Sequence, residues 1–322
     1  MKTVSIAVLS AAVSLSALPA EKAPFNVRDL VAMERVSSPI LSPNARFAVF
    51  AVRQADVATN KSRTGLWIEN LMARDALPPV RFTDESMNVN SPSFSPDGKQ
   101  VYFLSAKSGS MQLWSQALDA KAAKQISNFV LDVGSYKISP DGQSLALSFE
   151  VFNDCADLAC TRKRLDGQAA RKASGLLYDK LFIRHWDTWS DGRRNQLFVA
   201  PLTAGKLGNP VKISRGIDGD VPSRPFGDAS EYTWAPDGKS IVFSVRIAGK
   251  TEAWSTNFDL YRVDAAGKNN PQNLTAANPA WDTAPLFSSD GKTLYYNAMA
   301  RPGFEADRYA IMAMDVASGK TR

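Results

Sequence analysis

The chain has 322 residues, 44% of them hydrophobic, with 38 Lys and Arg against 32 Asp and Glu and a single His. That is ordinary globular composition, long enough for one large core or two domains. The net charge of +6 is scattered, and its densest knot, Arg162-Lys163-Arg164 with Arg171-Lys172 nearby, reads as a solvated loop; there is no basic stripe interleaved with aromatics to speak for nucleic acid.

Met1-Lys2 opens a short positive region, and Val4 to Leu18 is an uncharged run of apolar and small residues. Ala17 and Ala20 stand as cleavage positions before Glu21-Lys22. This has the form of a secretory signal peptide over 1–20, too short to span a bilayer comfortably, and predicts an exported, periplasmic or secreted protein without a membrane span. In the leading segment 21–38, Asn26 caps a predicted short helix from Val27 to about Arg35, with Asp29 in its first turn.

From residue 39 onward one turn recurs. It stands at Phe94-Ser95-Pro96-Asp97-Gly98, Ile138-Ser139-Pro140-Asp141-Gly142, Trp234-Ala235-Pro236-Asp237-Gly238 and Phe287-Ser288-Ser289-Asp290-Gly291, with a degenerate copy at Leu41-Ser42-Pro43-Asn44-Ala45. Pro presets φ in a turn, Asp tolerates the next position, and Gly takes the left-handed one, which is the chemistry of a tight link between antiparallel strands. A third apolar run follows each hairpin, at Leu66-Trp67-Ile68, Leu113-Trp114, Leu197-Phe198-Val199, Leu260-Tyr261 and Ile311-Met312. A fourth short strand ends in a hydroxyl at Thr83, Ser127, Ser214 and Thr275. The turn Asp (or Asn44) recurs at 53, 44, 96 and 53 residues. The fold class is therefore all-β, a β-propeller of four-stranded blades, about five present and the ring incomplete. A flat sandwich would lack this regular punctuation. The blades are predicted at about 39–88, 89–132, 133–222, 228–280 and 281–322. One Asp per blade is expected to keep these turns far apart around the ring, as structural features and not ligands.

The 96-residue interval holds one set of third and fourth strands, so it hides an insertion, about 152–194, in the third blade. Cys155 and Cys160 sit five apart within it; a small disulfide loop is the expected state in an oxidising compartment, with two free thiols as the alternative. The lone His185 lies 25 residues beyond Cys160, so no metal site and no cofactor is predicted. The second half of the insertion is aromatic, and Arg184, His185, Trp186, Asp187 and Trp189 are the candidate substrate-binding residues, on the ground that irregular loops on a rigid scaffold carry function. The alternative is that both Trp pack the insertion against its blade. The fifth unit runs out at Gly319-Lys320-Thr321-Arg322 where a fourth strand should begin, and the sequence reads as a piece of a longer protein.

Three features together, Asn26-Val-Arg-Asp-Leu30 through Val36–Pro43, the Ser-Pro-Asp-Gly turns, and Tyr178–Trp189 with its Arg-His-Trp-Asp-Thr-Trp core, resemble the N-terminal propeller of the prolyl oligopeptidase family of serine peptidases, in its dipeptidyl-peptidase 5-like branch. TolB-like periplasmic propellers share the turns. The resemblance implies a propeller that gates and positions peptide substrates for a C-terminal α/β-hydrolase domain. The sequence departs from the family in having no Gly-x-Ser-x-Gly elbow and no histidine matching the catalytic one, so no catalytic residue carries over and this chain alone should be inactive. The second reading is a stand-alone, TolB-like protein-binding propeller. Sialidase-type aspartate boxes are absent.

Overall fold

The computed structural model describes residues 24–73, 78–175, 177–178 and 183–322. The predicted signal peptide over 1–20 lies outside the described residues, as do 176 and 179–182 of the aromatic insertion.

Asn26 caps α1 (Val27–Ala32), its Oδ1 accepting from Arg28 N–H at 2.8 Å while its own N–H donates to Asp29 Oδ2 at 2.8 Å. The helix is shorter than predicted because Arg35 already pairs with Arg53. The first strand thus begins inside the segment expected to be linker.

Five antiparallel sheets follow, each a meander. The first holds β1 (Arg35–Leu41), β2 (Phe47–Asp56), β3 (Lys61–Asn70) and β4 (Val80–Arg81). The second holds β5 (Val89–Phe94), β6 (Gln100–Ser105), β7 (Gln112–Ala117) and β8 (Lys124–Gln125). In the third, β9 (Ser135–Ile138) and β10 (Ser144–Phe152) precede α2 (Leu158–Ala169) and a small hairpin, β11 (Arg184–His185) and β12 (Thr188–Trp189). The sheet then resumes with β13 (Arg193–Thr203), β14 (Lys206–Leu207) and β15 (Val211–Lys212). The fourth has β16 (Tyr232–Trp234), β17 (Ser240–Arg246), β18 (Phe258–Asp264) and β19 (Gln272–Asn273). The fifth has β20 (Asp282–Phe287), β21 (Thr293–Ala298) and β22 (Ala310–Asp315), and Ala313 exchanges backbone bonds of 2.9 and 3.0 Å with Arg322 on its far side.

The long interval is an insertion within one ladder, for Phe152 pairs directly with Arg193. Its first half is not the loop predicted from the basic cluster. Asp157 Oδ1 accepts from Cys160 N–H at 2.8 Å and starts α2, whose charges are paired along and off the helix, Arg162 with Asp166 at 2.5 Å and Arg164 with Asp154 at 2.6 Å. A disulfide joins Cys155 to Cys160 across this start, with Cα atoms 5.5 Å apart.

Each central strand sends alternate residues into opposite interfaces, as a strand buried on both faces must. Val101 and Phe103 of β6 pack with Val49 and Leu66 of the first sheet, while Leu104 packs with Leu145 and Leu147 of the third. Leu197, Tyr232 and Phe243 fill the third–fourth interface, and Val242, Leu260 and Leu294 the fourth–fifth. The core is thus a series of walls between successive sheets. The other face of the fifth sheet leaves Leu286 and Ile311 exposed.

The turns form one structure four times over. Ser95, Ser139 and Ser288 Oγ each donate to the Asp two residues on, at 2.6, 2.5 and 2.7 Å, and each accepts from the first N–H of the next strand at 2.9–3.0 Å. Ser42 does the same with Asn44. These hydrogen bonds hold the carboxyls of Asp97, Asp141 and Asp290 below the usual range. The expectation that the turns lie far apart fails. A Cβ at Gly98 would stand 3.2 Å from Pro43, one at Gly142 3.4 Å from Pro96, and one at Gly291 3.6 Å from Pro236. Sheets stacked face to face bring the second, third and fifth turns against the proline of the one before, while Gly238 of the fourth has open space.

Two further repeats fix the frame. The hydroxyls of Thr83, Ser127, Ser214 and Thr275 accept from the backbone N–H of Leu66, Leu113, Leu197 and Leu260 at 2.8–3.0 Å. In β1, β5 and β20 the pairing slips at Ser38-Pro39, Ser91-Pro92 and Ala284-Pro285, where the first residue has φ of 51–53°. Each bulge stands six residues before its turn Asp or Asn. Such a left-handed residue costs roughly 1–3 kcal/mol, so three copies at one position mark a shaped feature of the fold.

Candidate functional site

The turns occupy one rim of the stacked sheets; the ends of β10 and β17 and the starts of β13 and β18 occupy the other, and there the irregular chain gathers. Arg193 reaches Asp191 at 2.6 Å and Glu150 at 3.1 Å, and Arg224 pairs with the same Glu150. Arg194 grips Glu252 with both terminal nitrogens at 2.6 Å and Asp220 at 2.9 Å. Asp220 also accepts from Asn195 N–H at 2.8 Å. Glu252 foremost, then Asp220, hold Arg194 more firmly protonated in spite of burial, while burial pushes the Asp220 carboxyl up against the pull of Arg194. Four cations (Arg193, Arg194, Arg224 and Arg246) meet five carboxylates here, nearly cancelling, so the network's work is positional. It ties down the connection between β15 and β16, whose Val221-Pro222 and Arg224-Pro225 bonds are cis. The same connection is held from below by Glu231, which accepts from Ser223 N–H and Oγ, both at 2.7 Å; burial raises its pKa.

Above this base stands the insertion hairpin with all five predicted residues. Arg184 pairs with Trp189 in the β11–β12 ladder and lies over its ring at 5.5 Å, and the ring of Tyr178 meets the same indole at 5.7 Å. Trp186, at the turn with φ 52°, packs edge-on to His185 and meets Phe226 of the cis-proline connection, both at 5.2 Å. The two tryptophans therefore face different neighbours and do not form one pocket. Neither is packed away: Trp186 is 68% and Trp189 54% exposed, and Phe226 is 75% exposed. Asp187 is exposed and takes a long 3.4 Å bond from Thr188 Oγ1.

The connection reaches inward as well. Pro222 and 227–230 line a cavity of about 560 Å³ beside the first strands of three sheets, together with Ser38, Ser91, Ser135 and Lys137. Lys137 donates to Tyr232 O at 2.6 Å, and burial pushes its ammonium down to about 8, with Asp228 opposing. The rim thus offers exposed aromatic plates on a rigid ionic base, beside a hydroxyl-lined hollow.

Phe226, Arg194, Glu252, Asp220 and Lys137 were invisible to sequence patterns except through one signal. From Ser214 to Ala235 is 21 residues where the first two blades use 12.

No family model matches the sequence. Dipeptidyl-peptidase 5 of Porphyromonas gingivalis is 30% identical over 290 residues, which are 89% of this chain and 41% of that protein. The corresponding protein of Porphyromonas endodontalis is 30% identical over 280 residues, 86% of this chain and 39% of its own. Over most of its length the chain is similar to these two dipeptidyl-peptidase 5 proteins. It spans about two fifths of the length of these curated relatives. Among solved structures, the acylaminoacyl peptidase of Pyrococcus horikoshii matches 91% of this chain and 39% of its own with a TM-score of 0.61 and 16% identity. A protein described as TolB from Agrobacterium tumefaciens matches 90% of this chain and 80% of its own, at 0.51 and 16%. These likenesses show the fold: the chain has the propeller seen in the acylaminoacyl peptidase and in the TolB-described protein.

Proposed function

We propose that this chain is the non-catalytic propeller of an exported serine peptidase of the dipeptidyl or oligopeptidase type, and that it gates and positions peptides for an α/β-hydrolase domain of the whole protein. The observation that carries the reading is homology across 89% of this chain with a dipeptidyl-peptidase 5 more than twice its length. The rim supports it, since exposed Trp186 and Phe226 on an ion-paired base suit the side chains of a peptide held at a domain face. Peptides are the proposed substrates, and the periplasm or the exterior the proposed location.

The test is the complete reading frame. Expressed whole, it is expected to cleave dipeptidyl chromogenic substrates and to label with a fluorophosphonate probe, while residues 24–322 alone do neither. Labelling of the short chain at one serine would sink the proposal. A stand-alone, protein-binding propeller of the TolB kind is the second reading, favoured by a structural match that spans most of a TolB-described chain. A reading frame ending near codon 322 would decide for it.

A further inference from the structure

The hollow beside the rim takes one serine from each of three sheets at the same register. Ser38, Ser91 and Ser135 each stand six residues before the turn Asn or Asp of their sheet, and all three line the cavity of about 560 Å³. Two residues further along, the five sheets carry Ile40, Ser93, Lys137, Thr233 and Leu286, so Lys137 is the one charged residue at that position. Its neighbours fix where the ammonium sits. Lys137 Nζ donates to Tyr232 O at 2.6 Å and stands over the Tyr232 ring at 5.5 Å, while the Lys137 carbonyl accepts from Trp234 Nε1 at 3.1 Å.

An ammonium carries three hydrogens. The Tyr232 carbonyl takes one, and the others have no acceptor among the described residues. Asp228, the one carboxylate of the cavity wall, accepts from Ser230 N–H at 2.7 Å and forms no ion pair with Lys137. The hydroxyls of Ser38 and Ser230 are likewise without a bonding partner among the described residues, whereas that of Ser135 is engaged with Ser148 and Tyr232 at 2.8 and 3.0 Å. A fixed cation with hydrogens to spare, among hydroxyls that can also donate, is the complement of a carboxylate, which only accepts.

We propose that this hollow binds the carboxylate end of a peptide, with Lys137 as its cation and the serine hydroxyls as further donors. The choice of a peptide rests on the peptidase reading. A peptidase of the dipeptidyl type works at the amino end of its substrate, so the carboxyl end is free to be held elsewhere. The connection that raises Phe226 against Trp186 on the rim turns inward at once, and 227–230 line the hollow. A peptide seated against those two rings therefore has its following residues at the mouth of the cavity. The volume of about 560 Å³ lies in the range of ligand sites. Asp228 limits the charge that is accepted. Beside Lys137 it leaves the wall neutral, which admits a single carboxylate and repels a dianion such as phosphate.

The test is calorimetric titration of the full chain with N-acetyl-trialanine as the free acid, with the same peptide as its amide, and with inorganic phosphate. The acid is expected to bind at least about tenfold more tightly than the amide, a difference lost in Lys137→Gln, which keeps a donor for Tyr232 O. Phosphate is expected to bind only in Asp228→Asn. Burial pushes the Lys137 ammonium down to about 8, and a bound carboxylate restores it, so at pH 8 the acid should draw up to about half a proton onto the native chain and none onto Lys137→Gln. The other titratable groups facing Lys137 are Asp228, and Tyr136 and Tyr232, whose phenols burial keeps protonated. Equal binding of acid and amide by the native chain would overturn the proposal, and that comparison needs no variant to fold. Phosphate bound by the native chain as tightly as the acid would overturn it too, since the hollow would then take any anion. If the complete reading frame cleaves peptides while the chain ignores the carboxylate, this site fails and the peptidase reading stands. If the chain selects the acid while the complete frame cleaves nothing, the site stands and the peptidase reading fails.

Discussion

The ring of Trp186 lies 5.2 Å from that of Phe226, and this pair is the point where an insertion of the third sheet meets the connection leading into the fourth. Both rings are more than half exposed, so the contact stabilises little by burial, yet it sets where two loops stand relative to one another. An aromatic pair is worth about 0.5–1.5 kcal/mol beyond area. In the whole protein, Trp186→Ala and Phe226→Ala are each expected to lower kcat/KM for peptides about three- to tenfold, with Tm lowered by no more than a few degrees. A fall of Tm in step with activity would assign the rings to folding alone.

Arg194 is the opposite case, largely covered and shared by the carboxylates around it. Arg194→Met leaves Glu252 and Asp220 without their shared cation and is expected to destabilise the chain by about 3–5 kcal/mol. Urea unfolding measures it, and a loss under 1 kcal/mol would show that the carboxyls find other partners. The midpoint of Arg194→Met should recover as pH is lowered, since protonation relieves the unpaired carboxylates.

The fourth turn lacks the hydroxyl its sisters use, because Ala235 stands where Ser95, Ser139 and Ser288 donate to their Asp. Ala235→Ser is expected to stabilise the chain by about 0.5–1.5 kcal/mol, and Asp141→Ala to destabilise it by a similar amount. Because Ser139 and the Gln143 N–H hold Asp141 below the usual carboxyl range, its contribution is present above the unfolded value and vanishes as pH falls. The native and Asp141→Ala midpoints should converge in strong acid; a constant gap would point to turn geometry, not charge.

Cys155 and Cys160 close a small ring at the start of α2. Non-reduced peptide mapping of periplasmically produced protein should find them joined, and reduction should cost about 2 kcal/mol of stability. Two alkylatable thiols in that material would contradict this.

The architecture was legible because its punctuation is chemical: Ser, Asp and Gly at fixed spacing specify a turn, and a hydroxyl after the fourth strand caps a leucine amide. The insertion was legible only as an interruption. Its helix escaped notice because the residues from Leu158 to Ala169 bury only Leu158 and Thr161, too few to print a helical period. The rim network escaped because Arg194, Asp220 and Glu252 are brought together from positions 26 and 58 residues apart. The bulges could have been found, since Ser38-Pro, Ser91-Pro and Ala284-Pro keep one spacing from their turns.

Those bulges bear on how the hollow between the sheets treats an extended peptide. The first strand of every sheet is an edge, and an unprotected edge captures any passing chain as one more strand. Here β1, β5 and β20 each carry a kink with a proline that has no N–H to offer, while β9 and β16 are only four and three residues long. None of the five presents a ladder that a guest backbone could follow. The hollow is thus walled by hydroxyls, side chains and broken edges, with no continuous open ladder facing it.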